Sequence, residues 1–132
     1  MTSKTVLIAD DETHILNVLA MKLNNGGFNV LQAEDGAEAF RLARSELPDL
    51  IITDYQMPRM SGLELSSRLN SDPATSAIPV VLLTARGFSI AETQTISPNI
   101  RCIMSKPFSP REILARTQAL LVGDIESVGA TA

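Results

Sequence analysis

Apolar residues gather along this chain in two kinds of segment that take turns. Short, β-branched runs occur at Thr5–Ala9, Phe28–Ala33, Leu50–Thr53, Pro79–Leu83 and Ile100–Met104. None alternates cleanly between apolar and polar residues, which predicts strands covered on both faces. The segments between them carry helical spacing. In Glu12–Asn25, residues Ile15, Leu16, Val18, Leu19 and Leu23 form one stripe, and Gly26-Gly27 supplies the stop. Phe40, Leu42 and Ala43 do the same in Ala37–Glu46, before Pro48 blocks continuation. Leu63, Leu65 and Leu69 mark a third helix closed by Asp72-Pro73, and the polar, Thr-rich Ser89–Ile96 predicts a short or mobile one. Ser109-Pro110-Arg111-Glu112 is a capping box with proline at the first helical position; the helix it opens should bury Ile113, Leu114, Thr117, Leu120 and Leu121. Five strands alternating with five helices predict an α/β domain: a flavodoxin-like, doubly wound, five-stranded parallel sheet of order 2-1-3-4-5. Its ligand crevice should open at the carboxyl ends of strands 1 and 3.

Composition narrows the picture. With 132 residues, 45% hydrophobic and 20% charged, the chain suits one domain with a core of its own. Eleven Lys and Arg against fifteen Asp and Glu argue against a binder of nucleic-acid backbone. The single Cys102 cannot close an internal disulfide, no stretch approaches a membrane span, and MTSKTVLIAD turns acidic too soon for a signal peptide. A cytoplasmic domain is expected. Residues 122–132 lose all periodicity and read as a flexible tail with no second domain after it.

The strand ends carry the chemistry. Strand 1 ends in Asp10-Asp11, strand 3 in Asp54, strand 4 in Thr84 and strand 5 in Lys106. With strands 1 and 3 adjacent, three carboxylates converge; two of them about 4 Å apart repel by roughly 4 kcal/mol at an effective dielectric near 20. Such a cluster needs a proton or a hard cation, and oxygen-only ligands at a partly open site suit Mg²⁺ with a phosphate co-ligand. Lys106 offers a point charge and Thr84 a hydroxyl to oxygens gathered over Asp54, the placement of a nucleophile for a phosphoryl group. His14, the sole histidine, reads as a surface residue of the first helix, and Cys102 as a core residue of the last strand.

The stretches LIADDE (7–12), IITDYQMPRMSG (51–62), VVLLTA (80–85) and MSKPF (104–108) resemble, in order and spacing, a response regulator receiver domain of the single-domain chemotaxis type. The likeness covers residues 4–121, so residues 1–121 are expected to form the receiver and 122–132 the tail. The resemblance implies a phosphoacceptor in a two-component phosphorelay rather than a turnover enzyme, although such a domain assists its own phosphorylation and dephosphorylation. Asp54 would accept the phosphoryl group from a histidine kinase or phosphotransfer protein. Mg²⁺ would be held by Asp11, Asp54 and the backbone carbonyl of Gln56, with Asp10 acting through water. Lys106 would contact the phosphoryl oxygens, Thr84 would move toward them, and the Lys106-Pro107 bond would be cis. Gln56 and Arg86 stand where similar domains tune phosphate lifetime. Output would pass through the helix 4, strand 5 and helix 5 face to a protein partner, with the domain a monomer or weak phosphorylation-dependent dimer.

Two positions depart from the pattern. Ile103 stands where similar receivers carry Tyr or Phe, so the usual ring movement has no counterpart at this switch position, and the output face is expected to be read differently or to be less tightly coupled to phosphorylation. The segment Ser97-Pro98-Asn99-Ile100-Arg101 replaces a Gly-Ala-acidic stretch and is expected to alter the partner face. Rival functions are weaker. An aspartyl phosphohydrolase would want a second Asp where Gln56 stands, and a flavin carrier would want a Ser/Thr/Gly-rich loop after strand 1. A phosphorylation-independent docking module is the alternative that Ile103 keeps open.

Overall fold

A computed structural model describes residues 3–85, 87 and 89–121. Their order is β1 (Thr5–Ala9), α1 (Thr13–Asn25), β2 (Asn29–Ala33), α2 (Gly36–Glu46), β3 (Leu50–Asp54), α3 (Gly62–Ser71), β4 (Val80–Thr84), α4 (Ile90–Ile96), β5 (Ile100–Ser105) and α5 (Pro110–Leu121). The sheet is parallel throughout and ordered β2-β1-β3-β4-β5, as the alternation of segments predicts.

The central strands show why their sequences lack alternation. Val6 and Ile8, Leu50 and Ile52, and Val81 and Leu83 face a core shared with α1 and α5. Leu7 and Ala9, Ile51, and Val80 and Leu82 face a second core filled by α2 and α3. Both faces are dry, so successive side chains must both be apolar. The edge strands differ: β2 is largely half-exposed, and β5 skips Arg101 in its pairing with β4, leaving that residue exposed at a register shift.

The helices follow their stripes with one correction. In α1, Leu16, Leu19, Ala20 and Leu23 are buried, whereas Val18 is 38% exposed. Positions 16, 19, 20 and 23 lie on one arc at 100° per residue, and Val18 points away from it. In α2 the small Ala39 and Ala43 are buried while Phe40 and Leu42 pack at the margin, and in α5 Ile113 and Thr117 take the deepest positions. Phe28 precedes β2, and Asp54 and Thr84 close their strands instead of following them.

Caps fix where the helices begin. Ser109 accepts from the backbone N–H groups of Arg111 (3.1 Å) and Glu112 (3.3 Å), as its capping box predicts. Asp35, Ser61 and Ser89 cap α2, α3 and α4 through Glu38, Glu64 and Glu92 in the same way. At the other end of α1, Gly27 adopts φ 96°, where the Phe28 N–H donates back to the Leu23 carbonyl. Leu47 ends α2 in the left-handed region (φ 48°), just before Pro48.

The segment before β5 turns inward. Ser97 and Asn99 are buried and hydrogen-bonded to each other, and Asn99 Nδ2 donates to the Ser66 carbonyl of α3 at 2.9 Å. Only Pro98 and Arg101 of this stretch reach the surface with their side chains. Asn99 thus ties the start of β5 to α3, while Pro98 and Arg101 remain on the surface. Residues 122–132, expected to form a tail, and Arg86 lie outside the described residues. Among the described residues, no helix is long and apolar enough to cross a membrane.

Candidate functional site: an acidic cleft at the carboxyl edge of the sheet

Because β1 and β3 pair in register, Ala9 beside Thr53, the chain delivers Asp10 and Asp54 to the same edge side by side. Asp10, Asp11 and Asp54 each bring a carboxylate oxygen within 4.8 Å of the others. Asp10 and Asp54 are buried and Asp11 is exposed, so the trio has a dry floor and a wet rim. β5 hands on Lys106, whose Nζ lies 2.6 Å from Asp54 Oδ1, and the Lys106-Pro107 peptide is cis. Thr84, the last residue of β4, is buried beside them. The residues singled out in the sequence at four strand ends thus meet in one place.

The electrostatics follow from this crowding. Burial, reinforced by the Asp54 charge, pushes the Asp10 carboxyl from 3.8 up to about 6, against the hydrogen bond it accepts from the Glu12 N–H at 2.9 Å. Burial also raises Asp54, an effect the hydrogen bond and charge of Lys106 oppose. Lys106 itself is partly desolvated, which favours its neutral form, but Asp54 more than compensates and its pKa rises.

The donor set fits a hard cation. Asp10 Oδ2 is buried with no hydrogen-bond partner among the described residues, an arrangement that costs about 1–3 kcal/mol unless something positive or protic faces it. The three carboxylates supply oxygen ligands only, with one open side, and that combination suits Mg²⁺. An open cleft of about 410 Å³ lies over them, walled by Glu12, Gln56, Met57 and Lys106. A smaller recess of about 80 Å³ is lined by Asp54, Thr84 and Lys106.

The remaining candidates sort themselves by place. Gln56 is exposed on the cleft wall. Ile103 is half-buried on β5, opposite Leu82, and packs against the core under α2 and α3. His14 is exposed on α1, while Cys102 is half-buried against the other core, its thiol pushed up by burial. Met57 and Met60 pack against the core under α2 and α3. Gly62 is a site residue whose reason the sequence does not display. A Cβ there would stand 2.2 Å from the Asp54 carbonyl oxygen, so the start of α3 comes this close to the end of β3 only as glycine.

A parallel 2-1-3-4-5 sheet with three carboxylates, a hydroxyl and an ammonium at its carboxyl edge is the architecture of a two-component receiver. The family model described as the response regulator receiver domain matches residues 6–118, and the chain belongs to that family. It is 40% identical over 121 residues to the phosphate regulon transcriptional regulatory protein PhoB of Pseudomonas aeruginosa, covering 92% of this chain and 53% of PhoB. It is also 40% identical over 117 residues to histidine kinase P4 of Formosa agariphila, covering 89% of this chain and 8% of the kinase. The chain thus spans about half the length of PhoB and a small part of the kinase. Among solved structures, the chemotaxis response regulator CheY4 of Vibrio cholerae superposes with a TM-score of 0.81 at 30% identity, over 91% of this chain and all of that one.

Proposed function

We propose that this domain is a phosphoacceptor switch that takes a phosphoryl group from a phosphohistidine onto Asp54 with the help of Mg²⁺. The observation that carries this reading is the pairing of Lys106 Nζ with one oxygen of a buried Asp54, inside an acid trio in which the buried Asp10 Oδ2 has no hydrogen-bond partner among the described residues. Lys106 opposes the upward pull of burial on the Asp54 carboxyl and, by pairing with one oxygen, leaves the second to attack phosphorus. As the Asp54 O–P bond forms, the donor's P–N bond breaks, and its electron pair returns to the imidazole of the partner. Asp11, Asp54 and the Gln56 carbonyl would hold the ion, and Asp10 would act through water. The ion's contribution is to neutralise charge on the transferring oxygens.

Afterwards Lys106 keeps its charge on the phosphoryl oxygens and Thr84 donates its hydroxyl to them, across the recess between them. That movement shifts the equilibrium of the α4, β5 and α5 face, which a protein partner reads. Ile103, stiff and small beneath this face, replaces a swinging ring with a change in packing. Gln56 and Arg86 set the access of water to the acyl phosphate, so the domain acts on itself and not as a turnover enzyme. A phosphohistidine made from ATP places the exchange in the cytoplasm. The donor's surface would cover an apolar groove of about 560 Å³, formed by Ile15, Val18, Leu19, Phe108 and Pro110, that shares Glu12 and Lys106 with the cleft region.

Incubation with acetyl phosphate and Mg²⁺ tests the reading by intact mass. The wild type should gain one phosphoryl group and lose that gain when EDTA is present. An adduct formed equally well in EDTA would remove the metal from the mechanism. No adduct, together with no binding of a beryllofluoride mimic, would favour the docking module that Ile103 keeps in play.

A further inference from the structure

The loop joining β3 to α3, residues 55–61, supplies the Gln56 and Met57 wall of the cleft. Its base is closed by the Gly62 N–H donating to the Tyr55 carbonyl at 2.8 Å. Its tip is turned at Arg59, which adopts φ 68°, and Met60 then lands on the first residue of α2. The approach is very close. A Cβ built on Gly36 would meet Met60 Cβ at 2.8 Å, Sδ at 2.9 Å and Cγ at 3.0 Å. Gly36 is buried, and its backbone does not need glycine for a left-handed angle; the space needs it.

The floor of this notch is rigid. Asp35 caps α2 by accepting from the Glu38 N–H at 2.8 Å, and Glu38 returns the bond by accepting from the Glu34 N–H at 2.8 Å. The same Asp35 carboxylate lies 3.6 Å from the Arg59 guanidinium. That ion pair is exposed on the arginine side and adds little by itself. The steric seat of Met60 is the stronger hold, because its Cβ cannot retreat from Gly36 without moving the main chain of the loop.

We propose that the Gly36 notch, filled by Met60, positions the Gln56–Met57 wall of the cleft, which makes Gly36 and Met60 positioning residues for cation binding and phosphoryl transfer at Asp54. The proposal rests on reading the cleft as a Mg²⁺ and phosphoryl site. Ordinary van der Waals contact at position 36 would require the tip to move outward by roughly half an ångström, the tolerance within which site residues must be held. The wall lies only a few residues back along the same short loop.

Gly36→Ala and Met60→Ala test it, the second without adding any atom to α2. Two readouts are needed: the Gln56 and Met57 amide resonances of the metal-free protein, and the Mg²⁺ dissociation constant followed through Tyr55, the sole tyrosine in a chain without tryptophan. Gly36→Ala should displace both amides and raise the dissociation constant by about tenfold, the scale of outer-shell effects. Its unfolding midpoint should fall modestly, because the clash with the Met60 Cβ outweighs the better helix propensity of Ala. Met60→Ala should shift both readouts in the same direction, by less. Unmoved amides and unchanged Mg²⁺ affinity in both variants, with or without a lowered unfolding midpoint, would reduce the notch to packing and overturn the proposal alone. A wild type that does not respond to Mg²⁺ would overturn the reading of the cleft and this proposal with it.

Discussion

Asp10→Asn is expected to stabilise the metal-free protein near neutral pH while weakening its Mg²⁺ affinity by at least about tenfold. The two effects have one cause. Burial and the neighbouring Asp54 raise the Asp10 carboxyl from 3.8 to about 6, so the folded state holds this proton more tightly than the unfolded chain does. The stability this provides is fully present below about pH 4 and is lost as pH rises through 6. Above that, the charged form stands at a disadvantage of at most about 3 kcal/mol. An asparagine keeps the Oδ1 acceptor for the Glu12 N–H and removes the charge, though its amide inherits the partnerless position of Oδ2. The net gain should be at most about 2 kcal/mol in urea unfolding with EDTA near pH 7, and it should vanish or reverse near pH 4. Equal gains at both pH values would show that charge is not the reason.

Gly62→Ala should lower stability by about 3 kcal/mol or more, at the upper end of what overpacking produces. The added methyl would stand 2.2 Å from the Asp54 carbonyl oxygen and 3.0 Å from the Leu82 Cδ1. The leucine tip can swing aside; the strand carbonyl cannot. Relief has to come from α3 withdrawing from the end of β3, against the Gly62–Tyr55 hydrogen bond at 2.8 Å. Urea unfolding should show a reduced midpoint at an unchanged slope. A wild-type midpoint would mean that α3 shifts freely over the acceptor strand.

Much of this was legible in the chain because the chemistry sits at strand ends. Once parallel strands are inferred from runs without alternation, Asp10, Asp54, Thr84 and Lys106 must share an edge, and they do. The cap-to-Glu spacing that marks Ser109 in the sequence also stands at Asp35, Ser61 and Ser89, and there the structure supplies the reading. Val18 falls within the apolar stripe of the sequence yet is exposed, because apolar residues crowd α1 more densely than one face can use. The close seats of Gly36 on Met60 and of Gly62 on Asp54 were not legible. They depend on how far apart non-adjacent elements come to rest, and no local pattern encodes that. The partnerless oxygen of Asp10 is hidden for the same reason: its type and position can be read from the sequence, its surroundings cannot.

The central claim is that Asp54 becomes an acyl phosphate. Borohydride reduction of the phosphorylated protein, followed by peptide mapping, tests it most directly, because hydride converts an aspartyl phosphate to homoserine and leaves a free carboxylate untouched. Homoserine at position 54, absent without acetyl phosphate and absent in Asp54→Asn, is the expected result. Homoserine at Asp10 or Asp11, or at no position in a protein that has gained phosphate, would contradict it.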